Sequence, residues 1–228
     1  MLRLAIVVLC AALSLPALAG EAGDISRKHL YAGTIGQGLT EGEIVVDGDA
    51  GAYLGSKMRA GKIAVSGSAG ALAGASMRGG RIDIARDVGE KAGGVAVGEA
   101  HGMRGGRLSI GGKAGSLLGE RMRRGLIVGR GGAGDYAGGR MIAGTILLKG
   151  RIGRFAGYGL RRGTLILDKE PKDLLPTFGD CGVLDFNWLR LLDRQLKASD
   201  GRVKLGYRAR RLMGDMAVLG KGEMLILA

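Results

Sequence analysis

The chain repeats itself every 19 residues, and the repeat is marked by glycine. Gly42, Gly61 and Gly80 open three consecutive units, and Gly106, Gly125, Gly144 and Gly163 open four more. Only the step from Gly80 to Gly106 is longer, by seven residues. Each unit approximates G-x-[IL]-x-[IVL]-x-G-x-[AVI]-G-x-x-x-G-x-x-M-x-x. A period this short requires a stacked, quasi-one-dimensional architecture in which each unit buries its apolar side against its neighbours.

In the unit 42–60, Ile44 and Val46 alternate with Glu43, Val45 and Asp47, the pattern of a short strand with one face turned inward. Gly48, Gly51 and Gly55 then mark corners, where the backbone needs positive φ or close approach. A helix is excluded because each glycine in its interior costs roughly 1 kcal/mol relative to alanine. Collagen is excluded because the 46 glycines among 228 residues have no period of three. The expected fold is all-β: a right-handed parallel β-helix of 19-residue glycine-rich coils with a short C-terminal helical tail. Stacking at about 4.8 Å per coil gives a rod roughly 30–35 Å long.

Three positions, numbered from the opening glycine, are apolar throughout and form the expected core. Position three is Ile44, Ile63, Ile82, Leu108, Ile127, Ile146 and Leu165. Position nine is Ala50, Ala69, Val88, Ala114, Ala133 and Ile152. Position seventeen is Met58, Met77, Met103, Met122, Met141 and Leu160. The methionines are read as filler for irregular space beside glycine corners rather than as soft-metal ligands. An incomplete coil precedes the first, with Gly23, Ile25, Gly36 and Leu39 at positions one, three, fourteen and seventeen. The segment Gly129–Gly134 spells G-x-G-x-x-G, but it is in phase with the repeat and no helix-forming run follows, so it lacks the context of a phosphate-binding turn.

The net charge is +13 and the isoelectric point about 10.2, which points to an acidic partner. Aromatic residues make up only 4% of the chain, too few for the stacking platforms of single-strand nucleic-acid binders. The positive charge is patterned. Position eighteen carries Arg59, Arg78, Arg104, Arg123 and Arg161, with Ile142 breaking the series. Position sixteen adds Lys57, Arg121 and Arg140; position two adds Lys62, Arg81 and Arg107. Neighbouring arginines about 4.8 Å apart repel by roughly 0.9 kcal/mol even at the dielectric of water. The five arginines of position eighteen are therefore candidate anion- or partner-binding residues.

Two cysteines and two histidines supply neither C-x-x-C nor H-E-x-x-H, and no nucleophile–histidine pairing stands out. No catalytic or metal-binding residue is expected, and no cofactor bound by this chain alone. At the N-terminus, Met1-Leu2-Arg3, an apolar run from Leu4 to Leu15 and Ala17-Leu18-Ala19-Gly20 resemble a secretory signal, which is too short to span a membrane. An apolar first strand and a misassigned start are the alternatives.

The organisation expected is a signal-like or divergent segment 1–22, a glycine-rich β-helix 23–170 and a tail 171–228. The seven extra residues fall within Gly94–Gly102 and leave the coil as a surface loop, either a contact or a tolerated bulge, with the register resuming at Met103. In the tail, Val183, Phe186, Leu189, Leu192 and Leu196 recur at helical spacing, a helix of about 15 residues ending before Asp200. A basic stretch 208–211 leads to a final strand at Met224–Leu227. Position four should face outward, yet Val128, Leu147 and Ile166 there are large and apolar. Such a stripe needs cover, from the tail helix or from a partner subunit.

These coils resemble the glycine-rich subunit of formylmethanofuran dehydrogenase, whose repeat domain is of a type shared with glutamate synthase. Leu175-Pro176-Thr177-Phe178-Gly179-Asp180-Cys181-Gly182, the following apolar helix and Gly220-Lys221-Gly222-Glu223 are similar to the tail of that glycine-rich subunit, as are Met122-Arg123-Arg124-Gly125 and Gly134-Asp135-Tyr136-Ala137-Gly138 to its coils. The bacterial form, in the formyltransferase/hydrolase complex of methylotrophs, is most alike, over residues 23–228. The resemblance implies a non-catalytic scaffold subunit of an enzyme complex in one-carbon metabolism. It also implies a methanofuran-type carrier for the complex, other subunits as partners and a cytoplasmic location, against the exported location that residues 1–20 suggest alone. A stand-alone glutamate-synthase-type domain and an exported structural β-helix are the alternatives. Arg86 and Gly129 depart from the family pattern, which has glycine and a branched aliphatic residue there.

Overall fold

Strands recur at the pace of the repeat because each apolar doublet at positions three and five can be buried only against the same doublet one unit later. The computed structural model describes residues 5–9 (backbone only), 34–200 and 205–228. β1 (Ala5–Leu9) is followed by β2 (Glu43–Asp47), β3 (Lys62–Val65), β4 (Arg81–Ile84), β5 (Arg104–Ile110), β6 (Arg124–Gly129), β7 (Thr145–Leu148) and β8 (Arg162–Leu167). The tail supplies β9 (Gly179–Asp185), α1 (Asn187–Asp200), β10 (Arg208–Gly214) and β11 (Lys221–Leu227). All eleven strands share one sheet in the order β1-β2-β3-β4-β5-β6-β7-β8-β11-β10-β9. From β1 to β11 the pairing is parallel; β10 and β9 close the sheet antiparallel.

The register is the repeat itself. Ile44 pairs with Ile63, Ile63 with Ile82, Ile82 with Leu108, Leu108 with Ile127, Ile127 with Ile146 and Ile146 with Leu165. A second parallel ladder runs through position nine, from Ala50 through Ala69, Val88, Ala114 and Ala133 to Ile152. Positions three, five, nine and seventeen line the main core. Position thirteen joins them: Leu54, Ala73, Ala92, Leu118, Ala137 and Ala156 are all buried there. Where Gly129 stands at position five, a Cβ would lie 2.8 Å from Leu148 Cδ2, so Leu148 of the next coil fills the space.

The glycines of the repeat have two distinct causes. The opening glycine has φ between +80° at Gly106 and +105° at Gly144. It also packs against the methionine two units earlier in the sequence: a Cβ at Gly80 would sit 2.6 Å from Met58 Cε, and one at Gly125 2.8 Å from Met103 Cε. Methionine at position seventeen and glycine at position one thus form one packing unit. Position ten has no positive φ, but a Cβ at Gly70 or Gly89 would lie 2.6 Å from the backbone nitrogen of Ala52 or Ala71 in the preceding coil.

At the N-terminal side, the strand beside β2 is β1, with Ile6 opposite Ile44 at twice the 19-residue period. The segment read as signal-like is thus a strand over residues 5–9, and its cleavage-like part 16–20 lies outside the described residues. So do Gly23 and Ile25; Gly36, with φ +66°, and Leu39 keep the expected phase.

The tail is richer in strand than its helical periodicity indicated. Val183 belongs to β9 and is 49% exposed, so the helix begins at Asn187 rather than near residue 183 and includes Asp200. The residues 208–211 form the start of β10. β11 continues the coils after the intervening tail: Gly222 pairs with Gly163 and Met224 with Leu165, taking positions one and three of a further coil. Phe178, 8% exposed, plugs that end, its ring edge 3.0 Å from a Cβ position on Gly157. A second apolar cluster lies on the outer face of the sheet, where Val128, Leu147 and Ile166 are buried with Leu189 and Leu196 of α1, Ala209 and Leu225.

Candidate functional site

Position eighteen follows the buried methionine, so its backbone is fixed by the stack while its side chain leaves it. Each N–H there donates to the carbonyl of position seventeen in the preceding coil: Arg78 to Met58 at 2.7 Å, Arg104 to Met77 at 2.6 Å, Arg123 to Met103 at 2.8 Å and Arg161 to Met141 at 2.9 Å. The arginines therefore stand in one line. Arg59, Arg78, Arg123 and Arg161 are exposed and make no ion pair among the described residues. Arg104 differs: it is half-buried and donates to Glu99 at 2.7 Å. Glu99 also pairs with Lys57 at 3.5 Å.

Glu99 belongs to the insertion, which leaves the coil as a loop over Gly94–Gly102. Met103 returns fully buried to the methionine stack, its N–H donating to Gly93 O at 2.8 Å. The loop is tied down from inside by Ser76, which is 1% exposed; its hydroxyl donates to His101 O at 2.8 Å and accepts from Ala96 N at 3.0 Å. The return leaves a register irregularity between Arg104 and Arg107 where β5 meets β6.

Position two is quieter. Lys62 pairs with Glu43 at 2.7 Å, Arg81 with Asp83 at 2.6 Å, and Arg107 donates to Ser109 Oγ at 3.1 Å. Position two is thus largely compensated, whereas position eighteen is not. The arginines of position eighteen other than Arg104, like Arg121 of position sixteen, are thus left without a carboxylate partner among the described residues.

At the C-terminal end of the line lies a groove of about 550 Å³ that neither motif nor charge pattern indicated. Its floor is Ile142, the break in the arginine series; Arg121, Arg140 and Arg161 line it, with His101 on the loop side and Ala217–Val218 on the tail side. The tail wall is fixed by Asp215, only 2% exposed, which accepts from Gly159 N at 3.0 Å and Ala217 N at 2.9 Å. Burial opposes ionisation of Asp215, but Thr177 beside it and these two N–H groups outweigh that and hold its carboxyl below the ordinary carboxylate range. A second hollow of about 640 Å³, lined by Tyr136, Phe155, Tyr158 and Leu175, shares Arg140 and Tyr158 with the first. Sequence reading missed this meeting of positions because Arg140 and Tyr158 occupy two separate coils and Asp215 the tail.

Among the described residues no group of histidine, cysteine, aspartate or glutamate is arranged to hold a metal ion. No described helix is long and apolar enough to cross a membrane. No family model and no curated protein matches the chain. Among solved structures, it is similar to a chain of the formyltransferase/hydrolase complex (FhcABCD) from Methylorubrum extorquens, determined with methylofuran, at 45% identity and a TM-score of 0.79, over 85% of this chain and 73% of that one. With this identity carried over nearly its whole length on the same fold, the chain belongs to the family of that component of the formyltransferase/hydrolase complex.

Proposed function

We propose that this chain is the counterpart of the glycine-rich subunit in a formyltransferase/hydrolase complex of one-carbon metabolism, and that it serves there as a non-catalytic scaffold. The observation that carries the reading is the 45% identity to a chain of that complex over 85% of this one. The repeat supports it, because nearly every coil position is committed to core, corner or backbone ladder. The coils are taken to wind right-handed, the hand that almost all parallel crossover connections adopt. Residues 23–170 form the stack and 171–228 its cap and cover.

The arginine line Arg59, Arg78, Arg104, Arg123 and Arg161 is assigned to contact with an anionic partner of the complex: the acidic tail of a methanofuran-type carrier, or an acidic subunit surface. Co-expression with the other subunits tests both parts. The wild-type chain is expected to co-purify in a stoichiometric complex, and alone to show no formyl transfer or hydrolysis. Arg78→Gln with Arg123→Gln is expected to leave folding intact and weaken carrier or subunit binding several-fold, more at low salt than at high. Turnover by the isolated chain would defeat the scaffold role; equal binding by the double variant at low salt would reduce the line to a solvated face.

A cytoplasmic location follows from the same reading. β1, inside the signal-like segment, pairs with β2 and so takes part in the sheet. The native protein is accordingly expected to retain residues 5–9. N-terminal mass analysis giving a mature terminus at Gly20 or Glu21 would overturn this.

A further inference from the structure

We propose that the surface running from the aromatic hollow over Arg140 into the groove above Ile142 is the chain's principal docking site for a partner protein. Its occupant is an apolar segment flanked by carboxylates. The proposal rests on the reading that the chain works inside a multisubunit complex.

The aromatic part is produced by the coil. Position twelve is left-handed in successive units, with φ +59° at Tyr136 and +56° at Phe155. This turns both rings outward, one coil apart, with centroids 5.2 Å from each other. Tyr158 completes the cluster edge-on to Tyr136 at 5.9 Å and is itself 45% exposed. The chain has only nine aromatic residues, so three on one patch is a concentration. Tyrosine and arginine are the side chains most often found at the energetic centre of protein interfaces.

The groove adds charge and a second apolar wall. Arg121 and Arg161 are exposed without an ion pair among the described residues, and Arg140 meets Glu120 only at 4.0 Å. Beyond them the turn after Asp215 presents Met216, Val218 and Leu219 at 58%, 47% and 48% exposure. This turn is not slack: the Asp215 carboxylate accepts from Ala217, and the Asp215 carbonyl accepts from the N–H groups of Val218 and Gly220, both at 3.1 Å. A held apolar knob, an aromatic platform and three under-compensated guanidinium groups on one face match an apolar segment bordered by aspartate or glutamate. They do not match a free anion, which has no use for the knob, nor nucleic acid, since the rings pack on one another.

The test uses the full chain co-expressed with the other subunits of its complex. Tyr158→Ala combined with Arg161→Glu should leave thermal unfolding close to wild type, because both side chains are exposed, and weaken assembly by about 30-fold or more. Tyr53→Ala, the same coil position as Tyr136 but in the first coil, should assemble like wild type. Wild-type assembly with undiminished assembly of the double variant would refute the docking site while leaving complex membership standing. Failure of the wild type to assemble would overturn both. Self-association of the isolated chain that Tyr158→Ala abolishes would assign the face to a second copy of this chain and overturn the proposal as well.

Discussion

Valine in place of Gly89 is expected to lower the unfolding temperature by roughly 6–12 °C. Gly89 has no left-handed backbone, so the effect isolates close approach. A Cβ there would lie 2.6 Å from Ala71 N and 2.8 Å from Gly70 C, both backbone atoms of the coil beneath. Backbone cannot swing aside as a side chain does, so relief requires two coils to part along their hydrogen-bonded edge, where Gly89 N donates to Ala69 O at 3.0 Å. Overpacking of that kind costs about 3 kcal/mol, which for a chain of this size corresponds to roughly 2–4 °C per kcal/mol. Gly98→Ala is the matched control. It lies on the insertion with φ +80° and nothing within 4 Å of its Cβ position. It should lose only the conformational term of about 1 kcal/mol, seen as a shift of roughly 2–4 °C. Calorimetry of both variants decides: if Gly89→Val is no worse than Gly98→Ala, contact between coils does not select glycine at position ten.

The second large effect is expected at Leu189. Its side chain is fully buried in the outer cluster with Val128, Leu147 and Ile166. Truncating a buried leucine to alanine costs about 2–5 kcal/mol. α1 is amphipathic and, among its described residues, only Leu196 is buried as fully as Leu189, so the loss should appear as local release of the helix rather than as melting of the stack. Hydrogen exchange within residues 187–200 should quicken by at least about tenfold (~1.4 kcal/mol), while β6, β7 and β8 keep their protection. The released stripe at position four would be an exposed apolar patch, so the variant should also self-associate more readily than wild type. Unchanged exchange across the helix would mean that the strands of the tail, and not Leu189, hold it in place.

The features proposed for partner contact are those that the repeat leaves free. The arginine line is one, because its place in every coil makes it visible as a column of like charge. The groove is another, and it arises where that column is interrupted. Ile142 in place of arginine opens an apolar floor, the insertion brings His101 to one side, and the tail brings the Asp215 turn to the other. Arg104 shows the limit of reading charge from a column alone. Its neighbours are exposed, but Glu99 reaches it from the inserted loop, so the line is neutralised at its middle.

The 19-residue period determined the parallel stacking, the register of every coil strand from β2 to β8 and the identity of the core columns, because in a stack each contact is a contact between equal positions. It also located the insertion and the return of the register at Met103. Position thirteen escaped notice although it is apolar throughout, since alanine beside glycine carries little contrast in hydrophobicity. The tail was legible only in part. Val183 fits a helical period, but pairing of β9 with β10 overrides it, since a strand partner supplies hydrogen bonds that periodicity cannot foresee. Only the tertiary structure decided that Gly222 and Met224 take up the coil pattern at β8, that Phe178 closes the core behind them, and that α1 lies over Val128, Leu147 and Ile166. Local pattern reports which face of an element must be buried; which distant segment buries it depends on the path of the intervening chain.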